Sequence, residues 1–450
     1  LHHLLMVPFV WSDWLWRSGL AGSLVSMAAF VGSVLYQYRL VLLLSRNRGV
    51  AWLGAAFLGL NAGVLYMQTT PMSELPLIFA LLGSIYHMSA WLRSHSTTQL
   101  MLASLLVAAG TLVRYDAWAL VVAELAVIAI VARASRWRFS QFEGTSILYL
   151  TLGVVGIAGW LAWCTAIFSD PLYFMNSPFS AKAQQEEFAA RGELPARHDL
   201  GTALLYFGDT AWRNAGTIVT VLSVLGLVTW TVRTVHARRM VEDLLPVLLL
   251  LVPAAFNVVS LFAGISILFV PDLTPSSFSG QLFNARYGLM AVPAMAALSA
   301  LLVAAVLHRL DRRHAVLAAG AALCVFVATM FSSTPIALQD GREGMSARRP
   351  LAVNAYVAEH YDHGMLVADD FSRSTKPTAL DVPMNRIIYV GDQAEYRRAV
   401  DQPSSIVRWI VVQKNESDAY WRAVKDNPDF RDNFEQVYAS GDSAVFRLED

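Results

Sequence analysis

The sequence is poor in charged residues and in cysteine, and it has no excess of either charge. Asp, Glu, Lys and Arg make up only 15% of the 450 residues, against roughly 25% in ordinary soluble domains. The 34 basic and 34 acidic residues cancel, which argues against a nucleic-acid-binding protein, because such proteins usually carry a basic excess. Cys164 and Cys324 both lie in apolar runs, so neither a disulfide framework nor a CxxC metal site is available.

Long apolar runs fill most of the chain. Hydrophobic residues make up 56% of the sequence, and the mean hydropathy is +0.46. Runs of about 20 apolar residues are typical of membrane-spanning helices. The sequence predicts about ten spans, at 20–44, 50–68, 74–93, 99–113, 116–133, 145–168, 214–233, 244–269, 287–308 and 314–332.

Arginine placement predicts the orientation of these spans. Every second loop is basic, with Arg46, Arg93, Arg136, Arg238 and Arg312 as examples. Positively charged loops face the cytoplasm, so we expect a multi-pass protein of the plasma (inner) membrane. The opposite, extracytoplasmic side then holds the turn 69–74, Arg114 to Asp116, the loops 169–213 and 270–286, and everything after about 333.

The last hundred residues differ in composition from the rest. Short apolar runs at 365–369, 386–391 and 407–413 read as strands, and 437–448 reads as a hairpin with its turn at Gly441-Asp442. Strands that alternate with helical patterns are typical of a small α/β domain. We therefore predict a mainly α, polytopic membrane helix bundle at 1–335 and a small extracytoplasmic α/β domain at 345–450.

Glu74 is the first candidate functional residue. The chain turns at Thr70-Pro71 on the predicted outer side, and the next helix begins at Ser73-Glu74. One interpretation is structural: Ser73 is the N-cap, and Glu74 is a carboxylate in the first helical turn, where it is favoured. The other is catalytic, because an acid at the mouth of a membrane bundle suits general-base or metal chemistry.

Two further outer segments carry arginine beside tyrosine. Arg286 and Tyr287 open a later helix, either as interfacial anchors or as a grip on phosphate, which suits the planar guanidinium fork. Arg114 and Asp116 lie in a tight turn, where a local ion pair is the simpler interpretation. We group Arg286, Tyr287 and Arg114 as candidates for binding the phosphate of a donor.

The N-terminal segment adds two histidines. His2 and His3 precede the first span, but adjacent residues do not share a helix face. Together with Asp116 they are our candidates for an acceptor or metal region, with a divalent metal ion as the cofactor to test. The loop 169–214 is too long for a simple connection, and it is either a cap over a site or an interfacial helix.

Four motifs in order resemble the GT-C superfamily of integral membrane glycosyltransferases. They are LHHLLMVPF, LYMQTTPMSELPLIFALL, AGTLVRYDAWALV and FNARYGLMAVPAMAAL, followed by a small α/β tail. Within that superfamily the motifs resemble those of bacterial relatives of protein O-mannosyltransferases and of the aminoarabinose transferase that acts on lipid A. The resemblance covers nearly the whole chain.

The resemblance implies a polyprenyl-phosphate sugar donor and transfer to a protein, lipid or polysaccharide acceptor at the outer face. It places Glu74 at the acid that opens a later helix in the family, and Arg286 near the lipid phosphate. The family also has an acid in its first outer loop. This chain starts where that loop would be ending, so we expect it to be N-terminally truncated.

Two other functions remain open from the sequence. A secondary transporter would use intramembrane ionisable groups, and Glu124 is the candidate for that role. However, the sequence shows none of the internal repeats that are typical of transporters. The second alternative is a non-catalytic membrane scaffold whose outer α/β domain binds a partner.

Overall fold

The computed structural model divides into two compact units. One comprises Leu1–Ser12 and Gly19–Glu343, and the other comprises Asp13–Ser18 and Gly344–Asp450. The structure describes residues 2–177, 180–190, 192–270, 273, 282–307, 312–332, 335–345, 351–368, 380–389, 391, 393–416 and 418–449. Asp369 and Asp370, an acidic pair after the predicted strand 365–369, lie outside the described residues.

The first unit is a bundle of helices. The α-helices of both units are numbered together in chain order, and the short α2 (Asp13–Arg17) belongs to the second unit. The α-helices of the first unit are α1 (His2–Val10), α3 (Leu20–Ser45), α4 (Arg48–Gly59), α5 (Ala62–Met67), α6 (Glu74–Ser94), α7 (Thr97–Thr111), α8 (Asp116–Ala134), α9 (Phe139–Gly153), α10 (Val155–Phe168), α11 (Tyr173–Asn176), α12 (Ala181–Ala190), α13 (Leu200–Ala215), α14 (Thr217–His236), α15 (Leu245–Phe262), α16 (Val292–Leu307), α17 (Arg312–Phe331) and α18 (Ile336–Met345). A π-helical turn, Met240–Leu244, precedes α15, and a 3-10 helix, Ala285–Ala291, precedes α16.

Seven helices in the described chain are long and apolar enough to cross a membrane, and eight if the bent pair α9 and α10 is one span. They are α3, α6, α8, α14, α15 together with the π-helical turn before it, α16 together with the 3-10 helix before it, and α17. With the small sheet described below, this confirms the predicted fold class. The count is lower than the ten predicted runs, because 50–68 is two helices and α7 has only 15 residues.

Specific side-chain and packing contacts accompany these interruptions. Asn61 caps α5 by accepting a hydrogen bond from the Val64 N–H, and its amide donates to the Asn214 carbonyl at 2.7 Å. The chain therefore restarts a helix inside the run 50–68. The pair α9 and α10 bends by 47°. Just after the bend Gly156 lies so close to α7 that a Cβ there would be 2.1 Å from Thr111 Oγ1.

The interior of the bundle is made by the apolar faces of α3, α4, α6, α7, α8, α14, α15 and α16. Helix α6 is the most buried of these spans, since 83% of its most apolar stretch is enclosed by the rest of the protein. Because α6 begins with Glu74 and ends near Arg93, it carries one charged residue at each end of the bundle interior.

The second unit contains a five-stranded sheet of order β2-β1-β3-β5-β4. The strands are β1 (Met365–Ala368), β2 (Ile387–Ile388), β3 (Val407–Gln413), β4 (Phe434–Ser440) and β5 (Ser443–Leu448). Strand β1 pairs in parallel with β2 and β3, whereas β5 pairs antiparallel with β3 and β4. In the described part of residues 344–450, the sheet is accompanied by α19 (Leu351–His360), α20 (Gln393–Asp401), α21 (Ala419–Val424) and α22 (Pro428–Asn433).

The predicted strands and hairpin of this unit are confirmed. Gly441 adopts φ +58° in the turn between β4 and β5, a left-handed conformation that glycine reaches without the steric cost of a Cβ. Within the described residues the second strand is shorter than predicted, with Ile387–Ile388 paired to β1.

Candidate functional site

Glu74 lies at the first residue of α6 and is only 1% exposed. Its Oε1 accepts a hydrogen bond from Arg286 Nε at 2.9 Å and another from Arg114 Nη1 at 3.2 Å. Its Oε2 is buried and has no hydrogen-bond partner among the described residues. One oxygen of the carboxylate therefore holds two guanidinium groups, and the other is left with unused acceptor capacity.

Ser73 stands at the N-cap position of α6, as the structural interpretation predicts, but it does not cap the helix with its side chain. Ser73 makes no side-chain capping bond, and its φ and ψ of −80° and −9° are already helical. A capping residue normally has an extended backbone that turns its side chain back onto the first free N–H groups. The carboxylate of Glu74 also accepts hydrogen bonds from two arginines. Its function is therefore more than the favourable charge of an acid in the first helical turn.

Arg114 and Asp116 form the predicted local ion pair. Arg114 Nε donates to Asp116 Oδ2 at 3.1 Å, across the turn between α7 and α8. Asp116 Oδ1 accepts from Asn257 Nδ2 at 2.9 Å, and the same amide donates to the Pro253 carbonyl in α15. Arg114 is thereby fixed between two carboxylates from two helices.

Arg286 and Tyr287 lie in the 3-10 helix Ala285–Ala291, after Asn284 in a left-handed conformation with φ +57°. The Arg286 guanidinium is 5.3 Å from the centre of the Tyr287 ring, and that of Arg114 is 4.6 Å from it. The aromatic face attracts both cations. The Arg286 side chain is 25% exposed and forms an ion pair with Glu74. A simple interfacial anchor would not need this buried partner.

Asp340 of α18 completes what we call the Glu74 cluster. Its Oδ2 is 3.9 Å from Arg286 Nη1. The cluster consists of Glu74, Arg114, Asp116, Asn257, Arg286, Tyr287 and Asp340. Apart from Asn257, which lies within α15, its members come from segments that the sequence predicts to lie on one side of the membrane.

The charges of the Glu74 cluster are unequal, with three carboxyl groups against two guanidinium groups. Burial lowers the pKa of Arg114, but the carboxylates of Asp116 and Glu74 outweigh this and hold that pKa above its ordinary value. Arg114 therefore stays charged. The unused acceptor Oε2 of Glu74 and the further N–H groups of the guanidiniums are suited to a ligand with both hydroxyl and anionic groups.

The two predicted N-terminal histidines behave differently. His2 is buried, and its Nε2 lies 2.8 Å from the carbonyl of Pro71, in the turn before Glu74. Burial lowers the pKa of His2. His3 is exposed. Among the residues that the structure describes, no group of three or more His, Cys, Asp and Glu side chains is placed to hold a metal ion, so the metal region stays a prediction.

Glu124, the candidate for a transporter, is fully buried in α8 with its partners in place. Tyr149 Oη lies 2.7 Å from its Oε2, and Ser84 Oγ lies 2.8 Å from its Oε1. A buried polar group in this position is satisfied by helix-to-helix hydrogen bonds. The contacts explain Glu124 as a link between α6, α8 and α9.

Sequence reasoning missed Asn257 and Asp340. Asn257 is a lone amide in the apolar helix α15, and a polar side chain in such a helix was the available signal. Asp340 follows the last span, and nothing in the local sequence connects it with Arg286. That contact depends on how α18 folds back within the first unit.

No protein-family model matches the sequence, and a search of curated proteins finds no match. Among solved structures, the chain is similar to the archaeal oligosaccharyltransferase AglB from Archaeoglobus fulgidus, solved in complex with an inhibitory peptide and a dolichol-phosphate. The identity is 10% and the TM-score is 0.48. The match covers 91% of this chain and 60% of the archaeal chain.

Proposed function

We propose that this chain is a membrane glycosyltransferase that moves a sugar from a polyprenyl-phosphate donor to an acceptor on the extracytoplasmic face. The observation that carries the proposal is the Glu74 cluster, in which five of the seven sequence-predicted site residues meet at one end of the bundle. They are Glu74, Arg114, Asp116, Arg286 and Tyr287.

The donor's phosphate is assigned to Arg286. When the sugar leaves, negative charge develops on the phosphate oxygen, and a guanidinium that is already in position stabilises it. Arg286 is more exposed than Glu74, at 25% against 2% of the side chain, so an incoming lipid headgroup meets the arginine first. Arg114 supplies the second positive charge from beside the Tyr287 ring.

The acceptor's hydroxyl is assigned to Glu74. Oε1 is occupied by two arginines, while Oε2 has no partner in the described part of the chain. A hydroxyl that donates to Oε2 would be oriented beside the positive charges that bind the phosphate, and its proton would have an acceptor as the new bond forms.

The first test is donor binding by the chain reconstituted in lipid nanodiscs. Polyprenyl phosphate should bind to the wild type, and Arg286→Ala should lower the affinity about thirtyfold, corresponding to about 2 kcal/mol for a truncated charge contact. The matched control is Arg239→Ala, which removes an arginine paired with Glu242 and Asp243 at the start of α15. Equal affinity in wild type and Arg286→Ala would remove Arg286 from the donor site.

The transporter and scaffold alternatives have their own tests. Substrate accumulation inside vesicles would favour a transporter, and capture of a partner by the full chain without any sugar transfer would favour a scaffold. We rank both below the transferase, because the carboxyl of Glu124 is hydrogen-bonded by Ser84 and Tyr149 while Glu74 retains a buried oxygen without a partner in the described chain.

A further inference from the structure

Arg286 is held unevenly by two carboxylates. Its Nε is 2.9 Å from Glu74 Oε1, which is a charge-assisted hydrogen bond. Its Nη1 is 3.9 Å from Asp340 Oδ2, which is an ion pair beyond hydrogen-bond distance. An anion that binds Arg286 can therefore displace Asp340 with a smaller loss of interaction energy than it would need to displace Glu74.

Helix α18 holds Asp340 there by a close approach to α5. Gly341 follows Asp340, and a Cβ on Gly341 would lie 1.9 Å from Tyr66 Oη. The absence of a side chain at this position lets α18 pack directly on the Tyr66 ring. Ile336 and Ala337 are buried at the start of the same helix, so α18 is anchored by apolar burial on one side and by the Tyr66 contact on the other.

We propose that Asp340 is an internal anion that competes with the donor's phosphate for Arg286, and that donor binding displaces it. This inference rests on the proposed function. The carboxylate balances the charge of Arg286 when no donor is present, and it prevents other anions from pairing there. When the phosphate arrives, two negative groups beside one guanidinium repel each other, and the carboxylate with the longer contact moves away.

Removing the charge of Asp340 should strengthen donor binding. In nanodiscs, Asp340→Asn should bind polyprenyl phosphate roughly tenfold more tightly than the wild type, because the repulsion of a like charge is lost. Gly341→Ala should change affinity in the same direction but by less, since it separates α18 from Tyr66 without removing the carboxylate. Most substitutions at an anion site weaken binding, so a gain is a specific signature of competition.

Glu242→Gln is the matched control, because it neutralises a carboxylate paired with Arg239, near the start of α15. It should leave donor affinity unchanged, and thermal unfolding of all variants without donor should show that each is folded. Unchanged or weaker binding by Asp340→Asn, with binding by Arg286→Ala lost, would overturn this inference and leave the proposed function standing. Equal binding by all variants, Arg286→Ala included, would overturn both.

Discussion

Helix α6 has an arginine-bound carboxylate near each end, and the two arrangements differ in what they leave unused. Glu74 receives Arg114 and Arg286 on a single oxygen. At the other end, Asp243 uses both oxygens, Oδ1 for Arg93 at 2.5 Å and Oδ2 for Arg239 at 3.5 Å. We call Arg93, Arg239, Glu242 and Asp243 the Asp243 cluster.

The difference separates a structural ion pair from a candidate site. In the Asp243 cluster each carboxylate oxygen has its own arginine, and Trp230 Nε1 also donates to the Asp243 backbone carbonyl at 2.9 Å. Among the described residues, Nε and Nη1 of Arg93 are buried there without a hydrogen-bond partner. In the Glu74 cluster the unused group is a carboxylate oxygen beside two cations, which suits a hydroxyl-bearing acceptor and a phosphate together.

The largest expected effect is the loss of transfer in Glu74→Gln. The amide keeps the size of the side chain but cannot take a proton and holds the arginines less strongly, so turnover of a polyprenyl-phosphate sugar should fall by roughly 10²- to 10⁴-fold. The same isosteric change in the other cluster, Asp243→Asn, should leave turnover within a few-fold. Turnover of Glu74→Gln at the wild-type rate would exclude Glu74 from the site.

The second effect concerns the choice of cation at position 286. Arg286→Lys keeps a positive charge but loses the fork that binds an anion through two N–H groups. Donor affinity, measured as polyprenyl phosphate binding, should therefore fall between the wild type and Arg286→Ala. Arg239→Lys should not change it. If Arg286→Lys bound as tightly as the wild type, a simple point charge would be enough at this position.

A smaller effect is expected from Asn257→Ala, which removes the amide that holds Asp116 and the Pro253 carbonyl. Losing a hydrogen bond to a charged group should cost about 2 kcal/mol of stability, measured by thermal unfolding in nanodiscs. Turnover should fall by less than about tenfold, because Arg114 keeps its contact with Glu74. A decrease as large as that of Glu74→Gln would place Asn257 in contact with substrate.

The smallest effect should appear in the second unit, at a residue that belongs to neither cluster. Asp362 accepts from Arg408 Nη2 at 2.7 Å, Arg447 Nη2 at 2.8 Å and Trp409 Nε1 at 2.9 Å. The Arg408 side chain holds the pKa of Asp362 well below its usual range. Because the folded pKa is depressed, the stabilisation is present above pH ~4 and is lost as the pH falls below that value.

This pH dependence can be measured by hydrogen exchange of peptides that contain β3 in the full chain. Protection of β3 should fall at acid pH in the wild type, and Asp362→Asn should flatten that dependence. The partly exposed pair should contribute about 1 kcal/mol or less. Identical acid sensitivity in both proteins would show that Asp362 does not set it.

The elements that the sequence predicted best are those with a strong local pattern. Strand β3 was placed at its observed bounds, and α6 and α8 begin at the acidic residues that opened the predicted spans. The single run 50–68 was predicted wrongly because its interruption depends on Asn61, whose amide bonds the distant Asn214 carbonyl. A hydropathy window does not detect a break that is fixed by tertiary contacts.

The same contrast applies to the site. Glu74, Arg114 and Arg286 were identifiable because charged residues at the ends of apolar runs are few and share one predicted side of the membrane. Their direct contact is a property of the tertiary fold. Asp340 had no local signal, since its place beside Arg286 depends on the close packing of α18 against Tyr66.

The central claim is that the donor's phosphate binds at the Glu74 cluster and not at the Asp243 cluster. The most direct measurement is photocrosslinking of the chain in nanodiscs with a polyprenyl phosphate that carries a photoreactive group next to the phosphate, followed by mass spectrometry of the labelled peptides. We predict labels in the segments around Glu74, Arg114 and Arg286, competed away by unlabelled polyprenyl phosphate and lost in Arg286→Ala. Labels around Arg93 and Asp243 instead, if unlabelled polyprenyl phosphate also competes them away, would contradict the account.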